Sequence, residues 1–180
     1  MKRINIIGTS GSGKSTIGKQ LAEKLGYPYF QMDALFWKPN WVESDDEAFF
    51  AAVTEVTANP VWVLDGNYTR TQHIKWKNVD TVIWIDYSFT RTLYQAVKRA
   101  ITRIIESKEL WEGTGNKETF RKTFMSRDSI LIWTIKGYNR NRVRYEKMMQ
   151  SQEFQHINFV RLQSPKAAED FILQFGESTD

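Results

Sequence analysis

A glycine-rich stretch near the amino terminus carries the clearest chemical signal in this sequence. Residues 8–16 read GTSGSGKST, in which four residues separate Gly8 from Gly13, and Lys14 and Ser15 follow at once. Glycine allows backbone conformations that other residues resist, so successive N–H groups can point into one concavity and hold an anion. A short apolar run precedes the stretch, and a helical pattern follows it. This context predicts a phosphate-binding loop (P-loop) for a nucleoside triphosphate, rather than an accidental glycine turn.

The polar residues of this loop have expected roles. Lys14 should bridge the β- and γ-phosphates of ATP, and the Ser15 hydroxyl should ligate Mg²⁺. The positive end of the helix that begins near Lys14 adds to the field at the phosphates. The other residues expected to surround the phosphates are Gly8, Ser10, Gly11, Ser12, Gly13 and Thr16.

Two carboxylates stand at the ends of strands that the sequence predicts to be buried. Asp65 ends the apolar run 61–64, and Asp86 ends the run 81–85. In such a position beside a P-loop, a carboxylate binds Mg²⁺, often through water. Asp65 is the favoured metal ligand and Asp86 its competitor, and an ordinary Asp-Gly turn is the structural alternative.

The elements that must position these residues alternate between strands and helices. Strands are predicted at residues 4–7, 29–32, 61–64, 81–85 and 157–162, and helices after the loop, after a capping box at residues 44–47, near residue 90 and at Pro165. This alternation predicts an α/β fold, with three layers and a five-stranded parallel sheet. The stretch 106–150 contains no strand, so we expect one domain over residues 1–180 with a helical lid at about 106–150.

Composition excludes several classes of protein. The net charge of +4 suits a small polyanion such as ATP and is too small to imply DNA binding by itself. There is no cysteine and only two histidines, which argues against a disulfide framework and a zinc centre. The apolar runs are too short for a signal peptide or a membrane span, so we expect a cytoplasmic protein with no membrane partner.

The sequence resembles the adenylate kinase and shikimate kinase group of small P-loop kinases. Within that group it is most similar to the adenylate-kinase-related DNA topology modulation proteins. The likeness runs from GTSGSGKST through Tyr27-Pro28, which leads to Asp33, to Leu64-Asp65-Gly66 and Val79-Asp80. It implies an ATP- and Mg²⁺-dependent phosphotransferase. We expect a monomer or a homodimer.

The resemblance also assigns roles to arginines beyond the fourth strand. It implies that Arg99 and Arg103 cover the adenine ring and reach the phosphates, and their spacing of four places both on one helical face. Two solvated arginines on a surface helix are the alternative. Past the loop EGTGN, the likeness implies that Arg121 or Arg127 stabilises the transferring phosphoryl group.

The acceptor side departs from the adenylate kinase pattern. Phe36 stands where adenylate kinases carry an arginine for the phosphate of AMP, and Arg70 comes one residue later than their second such arginine. Both changes count against AMP as the acceptor. Shikimate-type kinases use an aspartate at the position of Asp33 to contact an acceptor hydroxyl, so Asp33 is expected to orient that hydroxyl or take its proton. A helix or turn cap is the alternative.

Two further features of the sequence have open interpretations. Trp37 and Trp41 could form an aromatic wall for a base or sugar, or they could be core residues. The residues expected on the substrate side are Asp33, Phe36, Trp37, Asp65 and Arg70. The basic run 139–147 could contact nucleic acid or be a solvated helix face. The preferred hypothesis is therefore a kinase for a small nucleotide or hydroxylated metabolite, and the alternative is a nucleotide-dependent regulatory protein that binds nucleic acid.

Overall fold

The computed structural model describes residues 1–120 and 130–175, with side chains at 1–120 and 135–175. The strands are β1 Arg3–Gly8, β2 Tyr29–Gln31, β3 Trp37–Lys38, β4 Val42–Glu43, β5 Trp62–Asp65, β6 Thr81–Ile85 and β7 Asn158–Leu162. The helices are α1 Lys14–Leu25, α2 Met32–Phe36, α3 Asp46–Thr57, α4 Gln72–Lys75, α5 Phe89–Glu106, α6 Ile130–Gln150 and α7 Pro165–Leu173.

Five strands form one parallel sheet in the order β2-β5-β1-β6-β7. Its central strand β1 pairs with β5 as far as Ile6 opposite Asp65, and with β6 as far as Gly8 opposite Ile85. β3 and β4 form a separate antiparallel hairpin. The predicted α/β fold with a five-stranded parallel sheet is confirmed. Because the five strands run in one direction, the residues that follow their carboxyl ends meet at one edge of the sheet.

Successive residues of the strands point to opposite faces of the sheet, and each face has its own core. On one face, Val63 and Ile83 pack with apolar residues of α1 and α7. On the other face, Leu64 and Trp84 pack with apolar residues of α2, α3 and α6. Helices therefore cover both faces, which gives the expected three layers.

Several element boundaries differ from the sequence-based expectation, and two of these differences change the place of a predicted residue. The second strand ends at Gln31, and Met32 already begins α2, so Asp33 lies in the first turn of a short helix. The side chain of Asp45, rather than that of Ser44, caps α3 by accepting a backbone N–H at 2.8 Å. Both differences arise because local propensities define the ends of elements less sharply than their centres.

The expected lid range contains two kinds of structure. In the loop after α5, the N–H of Leu110 donates to the carbonyl of Asn116 at 2.9 Å, which closes a compact turn. Further along, Tyr138 and Tyr145 of α6 are buried, and the ring centroid of Tyr145 lies 5.5 Å from that of Trp84 in the sheet. The later part of the range is thus a core layer. Closure of a lid stays a prediction, and it concerns the residues before Tyr138.

None of the helices within the described residues is both long enough and apolar enough to cross a membrane.

Candidate nucleotide-binding and phosphoryl-transfer site

Two glycines let the loop between β1 and α1 lie tightly between neighbouring elements. Their φ angles are +153° at Gly8 and +83° at Gly11. A Cβ at Gly8 would lie 2.7 Å from the carbonyl oxygen of Ile85, and one at Gly11 would lie 2.6 Å from Cβ of Ala96 on α5. Both distances are too short for any side chain. The loop is therefore held between β6 and α5, while Gly13 has no heavy atom within 4 Å of its Cβ position.

The Lys14 side chain lies within the loop. Its Nζ donates to the carbonyl oxygen of Thr9 at 3.2 Å. Burial lowers the pKa of Lys14, and the carboxylates of Asp65 and Asp33 oppose this effect because they favour the charged ammonium. The structure thus brings the predicted lysine into the field of both predicted carboxylates. A phosphate oxygen is a stronger acceptor for the ammonium than the carbonyl it now contacts.

Ser15 and Asp65 meet directly beneath the loop. The Ser15 hydroxyl donates to Oδ2 of Asp65 at 2.5 Å, and the Tyr29 hydroxyl donates to the same oxygen at 3.2 Å. Burial raises the pKa of Asp65, whereas the charge of Lys14 and the hydrogen bond from Ser15 oppose that rise. A hydroxyl and a carboxylate oxygen are ligands that Mg²⁺ prefers.

This donor set fits Mg²⁺ bound together with a nucleotide. Among the described residues there is no group of three or more histidine, cysteine, aspartate or glutamate side chains that could enclose a metal. Mg²⁺ usually binds through one or two protein oxygens and takes its other ligands from water and substrate phosphates. The Ser15–Asp65 pair has that character.

Asp86, the competitor for the metal role, has other partners. Its carboxylate lies 2.5 Å from Nη2 of Arg161 and 3.0 Å from Nε of Arg142. Arg161 also reaches Glu146 at 3.0 Å. These ion pairs join α6 to the end of β6 and to β7, so the Asp86 carboxylate stabilises the fold. The structure favours Asp65 for the metal.

Asp33 lies exposed at the edge of the site. The Tyr68 hydroxyl donates to its Oδ1 at 2.7 Å. The Asp33 carboxylate acts electrostatically on Lys14, Asp65 and Arg99, so residues from four separate elements share one site. Its hydrogen bond comes from a tyrosine and not from a backbone N–H of a turn, which counts against the capping alternative.

Of the aromatic residues after Asp33, one lies in the core and two could form the expected aromatic wall of a ligand site. Phe36 is 4% exposed, and its ring centroid lies 5.1 Å from those of Phe49 and Tyr68. The expected contact between Phe36 and a substrate is therefore corrected: its ring lies in the core and offers almost no surface. Trp37 and Trp41 are half-buried and meet edge to face at 5.6 Å. They remain candidates for an aromatic wall.

Arg70 lies beside this aromatic cluster. Its Nη1 pairs with Asp46 at 2.9 Å, and its guanidinium carbon lies 4.7 Å from the ring centroid of Phe36. The side chain is 38% exposed, so one face of the guanidinium can still meet solvent or a ligand. Its role towards the acceptor stays a prediction.

Helix α5 places two predicted arginines near the loop. Both line a groove of about 480 Å³. Nε of Arg99 is buried and has no hydrogen-bond partner within the described structure, and burial lowers the pKa of Arg99. Arg103 pairs with Glu118 at 3.3 Å. A guanidinium with an unused N–H is suited to a phosphate oxygen. Arg121 and Arg127 lie outside the described residues.

A larger groove of about 860 Å³ opens beside the loop. Gly13 and Thr16 line one part of it, and Tyr87, Gln95 and Pro165 line other parts. Small-molecule sites commonly have volumes of about 300–1,000 Å³. The groove therefore has room for the nucleoside part of a triphosphate whose phosphates lie in the loop.

Sequence reasoning missed two residues that hold the site together. The side-chain amide of Asn67 bonds both backbone groups of Gly8: Oδ1 accepts its N–H at 3.0 Å, and Nδ2 donates to its carbonyl. Lys75 is 2% exposed and donates to the carbonyl of Gly66 at 3.0 Å. The segment 65–68 was visible in the sequence as a strand end, but no pattern along the chain indicates a contact with Gly8.

Comparisons with known proteins give the family of this chain. A family model described as an AAA domain matches residues 4–95, which is 92 of the 180 residues. The chain belongs to the AAA-domain family. The matched range contains the loop, Asp33 and Asp65, and it ends within α5.

Among curated proteins, this AAA-domain chain is similar to shikimate kinases. It is 35% identical over 95 residues to the shikimate kinase of Synechococcus elongatus, covering 45% of this chain and 50% of the relative. It is 30% identical over 99 residues to that of Parasynechococcus marenigrum, covering 47% of this chain and 52% of the relative. The chain thus spans about half the length of these relatives.

Solved structures extend the likeness over the whole fold. The shikimate kinase from Acinetobacter baumannii in complex with shikimate has a TM-score of 0.58 at 16% identity, covering 97% of this chain and 90% of that one. A gluconokinase from Sinorhizobium meliloti has a TM-score of 0.51 at 17% identity, covering 98% and 94%. The expected P-loop kinase fold is confirmed, and ATP with Mg²⁺ is the cofactor pair of kinases of this type. The finer resemblance to DNA topology modulation proteins does not follow from these comparisons.

Proposed function

We propose that this protein is an ATP-dependent phosphotransferase that moves the γ-phosphoryl group to a hydroxyl of a small metabolite. The observation that carries the proposal is the 2.5 Å hydrogen bond from Ser15 to Asp65, next to a loop in which Lys14 contacts the carbonyl of Thr9. A candidate phosphate-binding lysine and a candidate metal-binding pair thereby lie at the same end of the sheet. The charges of Asp65 and Asp33 both favour the charged form of Lys14, which supports a place for the exposed Asp33 carboxylate in the same site. The kinase names of the relatives support the same reaction class.

Each residue has a defined part in this reaction. The acceptor oxygen forms a bond to the γ-phosphorus while the bond from that phosphorus to the β,γ-bridging oxygen breaks, and ADP leaves. Asp33 orients the acceptor hydroxyl and takes its proton. Lys14 offsets negative charge on the transferring group, and Arg99 adds a guanidinium N–H. Mg²⁺ bound at Ser15 and Asp65 would neutralise phosphate charge.

A hydroxylated metabolite fits the acceptor side better than a nucleoside monophosphate. Phe36 leaves no cation where adenylate kinases are expected to hold the phosphate of AMP, and Arg70 comes one residue later than their second such arginine. Asp33 instead presents a carboxylate beside a tyrosine hydroxyl, which is suited to a neutral hydroxyl. Shikimate and gluconate are the first candidates because the similar proteins carry those names.

The test is ADP release by the purified protein with MgATP and a panel of acceptors. The panel contains shikimate, gluconate, simple polyols and the nucleoside monophosphates. Lys14→Met should abolish turnover, and Lys19→Met is the matched control because Lys19 is exposed on the same helix. Acceptor-dependent ADP release confined to AMP would replace the metabolite with a nucleotide. No acceptor-dependent release at all would refute the kinase.

The alternative of a nucleic-acid-binding regulatory protein has little support in the described contacts. Within the basic run, Arg142 pairs with Asp86, and Arg144 bonds Thr69 and Tyr145. Two of its arginines thus serve the fold. Salt-dependent DNA binding that is lost when Arg140 is changed to Gln would revive this alternative. Cytoplasmic localisation and a monomeric or homodimeric state stay predictions.

A further inference from the structure

The segment that follows β5 holds the two sides of the site at once. β5 pairs with β1 as far as Asp65 opposite Ile6, and the N–H of Gly66 donates to the carbonyl of Ile6 at 3.1 Å. Gly66 has a φ of +151°, and a Cβ there would lie 2.6 Å from the side chain of Met32. At this point the chain turns away, so the backbone of β5 no longer follows β1.

This turn leaves the next position of β1 without a backbone partner on that side. In a parallel ladder, alternate residues of a strand direct both their N–H and their carbonyl to the same neighbour. Ile6 faces β5, so Gly8 faces it too. The amide of Asn67 accepts the N–H of Gly8 and donates to its carbonyl. A side chain thus supplies the donor and the acceptor that two further residues of β5 would have supplied.

Gly8 depends on such a partner because it has no side chain of its own to hold it. A Cβ there would lie 2.7 Å from the Ser12 hydroxyl as well as from the Ile85 carbonyl, so the position admits only glycine. Glycine also has the widest range of backbone conformations. Without the Asn67 amide, the first residue of the loop would have greater freedom, and its N–H would lose its partner.

The adjacent residue fixes the acceptor side. Tyr68 donates its hydroxyl to Asp33, and its ring packs 5.1 Å from both Phe36 and Phe49. Asn67, which bonds the phosphate loop at Gly8, and Tyr68, which bonds the Asp33 carboxylate, are consecutive residues. Both sides of the site are therefore bonded to one short segment. The side chains of Lys75 and Asn5 also hold this segment in place, because both donate to the carbonyl of Gly66.

We propose that Asn67 is a positioning residue that holds the phosphate loop in its nucleotide-binding conformation and in register with Asp33. This inference rests on the proposed function, because it assumes that the loop binds the phosphates of ATP. Asn67 acts through Gly8 and needs no contact with the nucleotide. Its amide groups, rather than its volume, carry the effect.

MgADP is the probe, and its dissociation constant is measured by calorimetry. Asn67→Ala and Asn67→Leu should each bind MgADP about tenfold more weakly than wild type, because each loses two hydrogen bonds to the loop. Asn59→Ala is the matched control: Asn59 is exposed, and its amide donates to a backbone carbonyl at 2.9 Å far from the site. It should bind MgADP within twofold of wild type.

Adenosine provides the readout that separates positioning from general loss of structure. It has no phosphates, so its dissociation constant should change less than twofold in the Asn67 variants. That constant is obtained by competition with a fluorescent ADP analogue and corrected for the affinity of the analogue for each variant. The inference is overturned if these variants bind MgADP as tightly as wild type, or if they lose affinity for adenosine and MgADP equally. Failure of the wild-type protein to bind MgADP would instead reject the proposed function, and this inference with it.

Discussion

The Ser15 hydroxyl donates a 2.5 Å hydrogen bond to Oδ2 of Asp65, a residue 50 positions later in the chain. Ser15 is the second residue of α1, and Asp65 is the last residue of β5. The contact exists because β1 and β5 are neighbours, so the loop after one strand lies over the end of the other. A hydroxyl and a carboxylate thereby meet next to the loop that holds the half-buried Lys14.

Asp65→Asn tests the metal role of this pair. The amide has the same shape but a neutral oxygen, so Mg²⁺ should bind more weakly. Half-maximal turnover should then need at least about tenfold more free Mg²⁺ than in wild type. The measurement is the initial rate against free Mg²⁺ at saturating ATP. Asp170→Asn, at an exposed carboxylate on α7, is the control. An unchanged Mg²⁺ dependence would exclude Asp65 as a ligand.

Asp86→Asn should instead affect stability. Its carboxylate is 1% exposed and pairs with Arg142 and Arg161, so its loss removes the charged partner of Arg142 and leaves Arg161 with Glu146. We expect the free energy of unfolding to fall by about 2–4 kcal/mol, as for other broken buried pairs. Urea denaturation measures this change. The Mg²⁺ dependence of turnover should not change, and a large shift in it would contradict the assignment of the metal to Asp65.

The buried amine of Lys75 predicts a pH dependence of stability. Burial, with the nearby charge of Arg144, lowers the pKa of Lys75 from 10.5 to about 7 in the folded state, while Asp65 opposes this. Below pH 7 the amine is protonated in both states, and the penalty for burying its charge is fully present. Between pH 7 and 10.5 the unfolded chain binds more protons, so the stability of the folded state rises with pH.

The comparison of wild type with Lys75→Met isolates this effect, because other titrating groups are common to both. The difference in free energy of unfolding should shift in favour of wild type by up to about 1.4 kcal/mol per pH unit across this window. Denaturation at pH 7, 8 and 9 measures it, with Lys19→Met as the control at an exposed site. A difference that does not vary with pH would show that the amine titrates normally.

Gly11→Ala tests the close contact between the loop and α5. The new Cβ would lie 2.6 Å from Cβ of Ala96 at a φ of +83°, so the loop must move. Gly26→Ala is a matched control, because Gly26 has a φ of +66° but no neighbour within 4 Å. Gly26→Ala should cost about 1 kcal/mol of stability from backbone strain alone. Gly11→Ala should cost more and also weaken MgADP binding at least tenfold, as measured by calorimetry. Equal effects of the two changes would contradict the contact.

The proposed ATP-binding side of the site was largely predictable from the sequence. The loop 8–16 lies between a strand and a helix whose centres were placed correctly, and the boundaries of β6 were predicted to the residue. Such local signals are strong because glycine spacing, apolar runs and helical periodicity each reflect the conformation of a few neighbouring residues. Asp65 was found for the same reason, as a carboxylate at the end of a buried strand.

The acceptor side depended on contacts that the sequence does not encode locally. Phe36 aligns with a ligand-binding position, yet its ring lies in the core beside Phe49. Asp86 ends a strand just as Asp65 does, yet arginines from α6 and β7 pair with it. The two carboxylates have the same local pattern, and only their partners from distant parts of the chain distinguish them.

The sequence by itself determined the fold class and the position of the phosphate loop with its lysine and serine. Each depends on residues that are near one another along the chain. The tertiary structure decided which carboxylate meets Ser15, that Nε of Arg99 has no hydrogen-bond partner among the described residues, and that Asn67 holds Gly8 from 59 positions away. The physical reason is that hydrogen bonds and ion pairs depend on distance in space. The order of the sheet, β2-β5-β1-β6-β7, sets those distances.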